Sequence, residues 1–301
     1  MKEPVILDFD KSAGPIANAL AIDLQAWQER MRFACSWRYF REMATLLDHR
    51  LPRAYGPVLL GSGDYHHISH LLVCRMQRLL AGRGLTVVVI DNHPDNMRFP
   101  FGIHCGSWIS HTAALPFVDH VHVIGITSQD IGPCHAFENR LLPLYRSRLT
   151  YWSTGVNVKW AHRIGLKQAF FDFANVEDLV SAFISEQYHQ SQPVYLSIDK
   201  DALAPDCLRT NWDQGVMQER HVTDLLMALG PRLKGCDITG DVSDYSYSSP
   251  LKRLLSRLDG QQPVSPNDLP DWQRQQRAFN SRILGILSRY MEDLGVTDQS
   301  A

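Results

Sequence analysis

The apolar run Leu85-Thr86-Val87-Val88-Val89-Ile90 ends on Asp91-Asn92-His93-Pro94-Asp95, and about a hundred residues later a second such run ends on Ser197-Ile198-Asp199-Lys200-Asp201. Side chains alternate along an extended chain, so Asp91, His93 and Asp95 project from one side, and Asp199 and Asp201 share a side of their own strand. If the two strands lie near each other in one parallel sheet, four carboxylates and an imidazole meet at its carboxyl edge, where open α/β sheets bind ligands. Clustered carboxylates repel unless cations sit among them. Oxygen and nitrogen donors of this kind suit a divalent first-row metal such as manganese, and four carboxylates are enough to bridge a pair of ions.

The rest of the chain repeats the theme. Strand-like runs recur at 5–9, 58–60, 121–126, 149–152 and 236–239, with helical stretches between them, for example 176–187 and 221–229; residues 16–47 are mainly helical in pattern. This alternation predicts an α/β protein of three layers, α/β/α, with a mainly parallel sheet of about eight strands. A chain of 301 residues with 45% hydrophobic content can bury one large core, so residues 1–301 are read as a single domain. A proline-rich link at 260–270 precedes Trp272, Phe279, Ile283, Ile286, Leu287 and Tyr290, which recur at helical spacing. They predict a carboxyl-terminal helix at about 271–294 that packs on its own domain or forms the contact of a homo-oligomer.

A formal charge of −2 and a pI near 6.7 give no footprint for nucleic acid or for an acidic membrane surface. The first residues lack the basic and apolar regions of a signal peptide, and no apolar run is long enough to span a bilayer, so a cytoplasmic protein with no membrane partner is expected. The six cysteines form no Cys-x-x-Cys pair and are expected to be reduced and mostly buried.

A third segment joins the two acidic motifs. Val58-Leu59-Leu60 reads as a short buried strand, Gly61-Ser62-Gly63-Asp64 as a tight turn, and the residues from Tyr65 to Leu72 as the start of a helix, which puts His66 or His67 at the junction. Here the chain resembles the arginase, agmatinase and ureohydrolase family, whose metal motifs are a Gly-Gly-Asp-His turn, Asp-x-His-x-Asp and Ser-x-Asp-x-Asp, in that order. The resemblance covers roughly residues 58–245. It implies an arginase-like fold and a pair of manganese ions bridged by Asp91 and Asp199, with His66 and Asp95 completing one shell and His93 and Asp201 the other. The implied activity is hydrolysis of a carbon–nitrogen bond in a guanidino or amidino compound, with Asp95 steadying the attacking water and His104 relaying protons, a task suited to imidazole near neutral pH.

The departures from the family pattern are specific. The turn before His66 is two residues longer than the family's. Where the family holds the guanidinium with a glutamate, this chain has Asp237-Ile238-Thr239-Gly240-Asp241-Val242-Ser243-Asp244, with Gly240 at the glutamate position. Asp241, and behind it Asp244, is the expected substitute as carboxylate for a small cationic substrate. The loop that reads the α-carboxylate of arginine has no counterpart at 98–101, so arginine itself is not the expected substrate.

Three other readings compete. His66-His67 with Asp91, His93 and Asp199 also resembles the adjacent histidines and single zinc of histone-deacetylase-like amidohydrolases, in which Asp95 and Asp201 would be spectators. A relative that keeps the metal without catalysis is the second. The third is the Asp8-Phe9-Asp10 phosphatase-like pattern, which lacks the Gly and Thr that should follow.

Overall fold

A computed structural model of the chain describes residues 2–258, 261 and 264–291, so the last positions of the expected carboxyl-terminal helix, 292–294, lie outside the described residues. The strands are β1 (Val5–Asp8), β2 (Leu20–Asp23), β3 (Ala34–Cys35), β4 (Val58–Gly61), β5 (Leu85–Ile90), β6 (Ile103–His104), β7 (Val118–Ile126), β8 (Leu149–Thr154), β9 (Phe170–Phe173), β10 (Val194–Asp199) and β11 (Leu233–Thr239). Nine of them form one sheet in the order β2-β1-β4-β11-β10-β5-β7-β8-β9. Every pairing in it is parallel. β3 and β6 make a separate antiparallel pair.

The alternation of side chains sorts the core into two layers. Val87, Val89, Val121, Val123 and Leu60 face one cluster, packed by the helices Trp37–Arg50 and Ile68–Met76. Val88, Ile90, Leu196, Ile198 and Leu59 face the other, packed by the helices Val176–Gln187, Glu219–Leu229 and Leu269–Leu287. Strands buried on both faces are largely apolar, which is why β5 is aliphatic at every position but Thr86. The carboxyl-terminal helix sets Phe279, Ile283 and Leu287 into the second cluster.

Two strands at the sheet edges depart from the sequence expectation. The region 16–47 is not mainly helical: β2 pairs with β1, and Phe33 adopts φ +69°, a left-handed turn that separates the short helix Gln28–Met31 from the helix Trp37–Arg50. β9, an edge strand with only Phe170 fully buried, was absent from the expected set. Strands of four residues exposed on one side carry too few apolar positions for a period to show. All six cysteines are free, and Cys134 is exposed rather than buried. Among the described residues, no helix is long and apolar enough to cross a membrane.

The chain runs from β4 directly to β5, leaving a gap that β10 and β11 later fill. The carboxyl ends of β4, β11, β10 and β5 are therefore neighbours, and register places Ile198 beside Ile90, so that Asp199 and Asp91 leave the sheet at the same level. A central-strand truncation should be costly: Leu196→Ala, at a fully buried position, is expected to lower the unfolding free energy by about 2–5 kcal/mol, read as a lowered urea midpoint at constant slope.

Candidate metal centre

At the end of β4 the Ser62 hydroxyl accepts the Asp64 amide and starts a tight turn, Gly63–Tyr65, that delivers His66 over the sheet edge. His66 Nδ1 lies 3.0 Å from Asp95 Oδ2 and 3.3 Å from both Asp91 Oδ2 and Asp199 Oδ2. Beside this group, His93 Nδ1 lies 3.0 Å from Asp201 Oδ2 and 3.6 Å from Asp91 Oδ1. His66, Asp91 and Asp199 are thus one set able to hold a metal ion, and Asp91, His93 and Asp201 a second. Asp91 belongs to both sets. His104 joins them on the wall of a cavity of about 640 Å³.

Of the two adjacent histidines, His66 is the one beside the carboxylates. His67 is fully buried away from the carboxylates, 3.9 Å from Cys35 Sγ and against Phe40, and burial pushes its pKa well below the ordinary imidazole value. The adjacent-histidine pair of the deacetylase-like reading is not assembled, and Asp95 and Asp201 each sit within 3.0 Å of a ring nitrogen instead of standing aside. The phosphatase-like pattern fails too, since Asp10 is engaged by Arg32 at 2.9 Å.

Each donor is held from behind. His66 Nε2 meets Ser197 Oγ at 2.9 Å, and that hydroxyl donates to Asp237 Oδ1 at 2.7 Å. Asp95 adopts φ +45°, a left-handed conformation costly for a residue with a Cβ. It is fixed there by Trp108 Nε1, which donates to its Oδ2 at 2.7 Å, and by its carbonyl, which accepts the Ile109 amide. The Asn92 and Asp201 amides donate to Asp201 Oδ1 and Asp199 Oδ1 respectively, both at 3.1 Å.

Electrostatics show what such crowding costs. Burial, with the charges of Asp91 and Asp95, pushes the Asp199 carboxyl up to about 7 against the pull of His66. Burial also lifts Asp201 well above the usual carboxylate range, helped by Asp199 and Asp91. Burial opposes charge on His66, yet Asp91, Asp95 and Asp199 overcome it and raise its pKa well above the ordinary value. Asp91 Oδ2 is buried with no hydrogen-bond partner among the described residues. An orphaned carboxylate oxygen amid acid groups that cannot all ionise is the donor set a divalent cation would complete. The residues therefore fit a pair of such ions.

Asp241 does not join them. It is a correction to the sequence expectation: its carboxylate is fully buried, ion-paired with Lys200 Nζ and hydrogen-bonded at 3.2 Å by Asn280 of the carboxyl-terminal helix, and it does not line the cavity. Asp244 is exposed and does not line it either. Gly240, at φ +85°, leaves no room for a replacement, since a Cβ there would fall 2.4 Å from Asp199 Oδ1. The carboxylates that do reach the cavity besides the metal set are Asp130, Glu138 and Asp213. The sequence offered no periodic signal for these loop residues. Asp213 Oδ1 lies 2.7 Å from His93 Nε2, and Trp212 stands beside it on the same wall.

No family model matches the chain. A curated relative, an uncharacterized protein of Thermotoga maritima, is 24% identical over 202 residues, 67% of this chain and 64% of that protein's length. The arginase from Bacillus cereus superposes on 97% of this chain and 99% of its own at a TM-score of 0.54 and 15% identity. The chain has the arginase fold. Proclavaminate amidino hydrolase from Streptomyces clavuligerus matches with a TM-score of 0.53 and 16% identity over 96% of this chain and 93% of its own. Agmatine ureohydrolase of Thermoplasma volcanium gives 0.53 and 14% over 96% and 90%. Within this fold the Lys200–Asp241 ion pair lies buried just beyond the ends of β10 and β11.

Breaking that pair on one side should destabilise the fold. Lys200→Met leaves Asp241 charged and unpaired in the core, an expected loss of about 3–5 kcal/mol. Lys200→Met combined with Asp241→Leu should recover most of it in the same urea titration.

Proposed function

We propose that the chain is a divergent ureohydrolase-type enzyme whose cavity holds two divalent metal ions, manganese by preference, and hydrolyses a linear carbon–nitrogen bond in a cationic guanidino or amidino compound. The observation that carries this reading is the pair of three-residue donor sets meeting at Asp91 in a cavity lined by seven carboxylates and by no lysine or arginine. A cationic substrate is attracted to such a cavity and an anionic one repelled. The similarity to an amidino hydrolase and an agmatine ureohydrolase supports the same chemistry.

In this proposal His66, Asp91, Asp95 and Asp199 would hold one ion, and Asp91, His93, Asp199 and Asp201 would hold the other. Bound there, the ions supply Lewis acidity, lowering the pKa of water and so making a nucleophile available at neutral pH. The protein's own groups do the rest. Asp95, pinned by Trp108, accepts a hydrogen bond from the attacking water and orients it toward the amidino carbon. His104 Nδ1 accepts the Gly106 amide at 2.9 Å, so the neutral ring carries its proton on Nε2. As the carbon–nitrogen bond breaks, the protons lost by the attacking water pass by way of Asp95 to the departing amine, whose nitrogen is steadied by a hydrogen bond from His104 Nε2, and the water's oxygen stays on the carbon as the carbonyl of urea or of the corresponding amide. With the family's glutamate absent, Glu138 and Asp130 on the loop 128–140 are the carboxylates assigned to the substrate's positive end.

Metal content after manganese loading should be about two ions per chain, falling to one or none in Asp201→Ala. A single ion indifferent to Asp201 refutes the binuclear assignment. His104→Ala should keep both ions and lose about 10²–10⁴-fold in kcat in a urea-release assay across guanidino compounds; an unchanged rate on a responsive substrate removes the role given to His104.

A further inference from the structure

Residues 97 and 139 pair in an antiparallel bridge, the Arg98 amide donates to the Glu138 carbonyl, and the Arg140 amide donates to the Asn96 carbonyl. These two extended segments form a thin wall. Met97, Glu138 and Asn139 line the metal cavity on one side. The next residue of each segment, Arg98 and Arg140, lines a second cavity of about 700 Å³ on the other. Alternation of side chains along extended chain explains why Met97 and Asn139 face one cavity and the arginines that follow them, Arg98 and Arg140, face its neighbour.

The second cavity gathers Arg98, Arg140, Arg146, Arg148, His111 and Ser110, with no aspartate or glutamate on its lining. Among the described residues none of the four arginines enters an ion pair, although the chain as a whole is slightly acidic. Arg148 is spent partly on the Leu115 carbonyl at 2.8 Å, and Arg98 on the Asn139 carbonyl at 3.2 Å. Arg140 Nε, Arg148 Nε and His111 Nε2 are buried with no hydrogen-bond partner. Buried guanidinium donors are ordinarily paired, and converging unpaired ones repel. The remaining lining, Leu141, Leu142 and Pro143 among it, is apolar.

We propose that this cavity is a binding site for an organic phosphate: a small molecule whose phosphoryl oxygens are taken by the forks of Arg140, Arg98 and Arg146 and whose body rests on the apolar lining. Planar guanidinium groups match phosphoryl oxygens two at a time. The volume lies in the range of small-molecule sites and exceeds what a lone phosphate fills. The site is separate from the metal centre and takes a ligand of opposite charge from the one proposed there.

Isothermal titration calorimetry with adenosine triphosphate as probe tests it, on protein without added metal and at fixed ionic strength. Saturable binding near one per chain is expected, weakened about tenfold in Arg140→Gln, with circular dichroism confirming the fold. Arg146→Gln, at an exposed position without a described partner, cannot unfold the chain and should weaken binding in the same direction. Absence of saturable heat, or affinity unchanged in both variants, overturns the proposal. So does binding abolished by Asp201→Ala but indifferent to Arg140, which would put the anion at the metal centre. Inorganic pyrophosphate bound as tightly as the nucleotide would overturn the role given to the apolar lining.

Discussion

Burying five aspartates within reach of one another at a sheet edge is the constraint to which the surrounding structure answers. Asp91, Asp95, Asp199, Asp201 and Asp237 are each nearly inaccessible, and all five sit on or just beyond β5, β10 and β11. Such a group is tolerable only where every oxygen finds a donor or a cation. Backbone amides at the strand ends supply some donors, two imidazoles supply others, and Trp108 and Tyr195 reach in from the layer below. The strained backbone of Asp95 belongs to the same arrangement, since in that conformation its carboxylate meets both His66 and Trp108.

The same constraint explains the departure at the end of β11. Gly240 packs so closely on Asp199 and Lys200 that a side chain there would displace a carboxylate of the cluster. Lys200, lying between two acidic residues of the motif, turns to the opposite side of the sheet and needs its own anion, which Asp241 provides. Gln276 and Asn280 then tie that pair to the carboxyl-terminal helix, so a helix remote in sequence braces the strand end that carries Asp199 and Asp201. The charge pair is thereby a support under the site, and the cavity-facing carboxylates outside the cluster come from the loops 128–140 and 206–215.

What could be read from the sequence was what alternation encodes. β5 and β10 are mostly apolar runs ended by acids, so both strands were legible without knowing the order of the sheet; Asp91, His93 and Asp95 all line the cavity, Asp95 by way of a left-handed backbone that alternation does not foresee. Adjacent strands whose side chains leave at the same level then follow from the parallel α/β pattern. Asp241 was misjudged because position along the chain says nothing about which side of a strand end a residue leaves by once a glycine with positive φ intervenes. β2 and β9 escaped notice because edge strands of four residues carry no period. Asp213 was hidden for a different reason: it reaches His93 through an irregular loop, where local sequence does not dictate direction.

The wall between the two cavities joins these themes. It is built from two paired segments, one just after the metal motif and one at the end of the loop 128–140, and it turns Met97 and Asn139 to the acidic chamber and Arg98 and Arg140 to the basic one. Opposite charges on the two faces of one thin wall attract, the more strongly the less water lies between them. Arginines behind the wall and carboxylates before it are thus an arrangement that an anion in one chamber and a cation in the other would each suit.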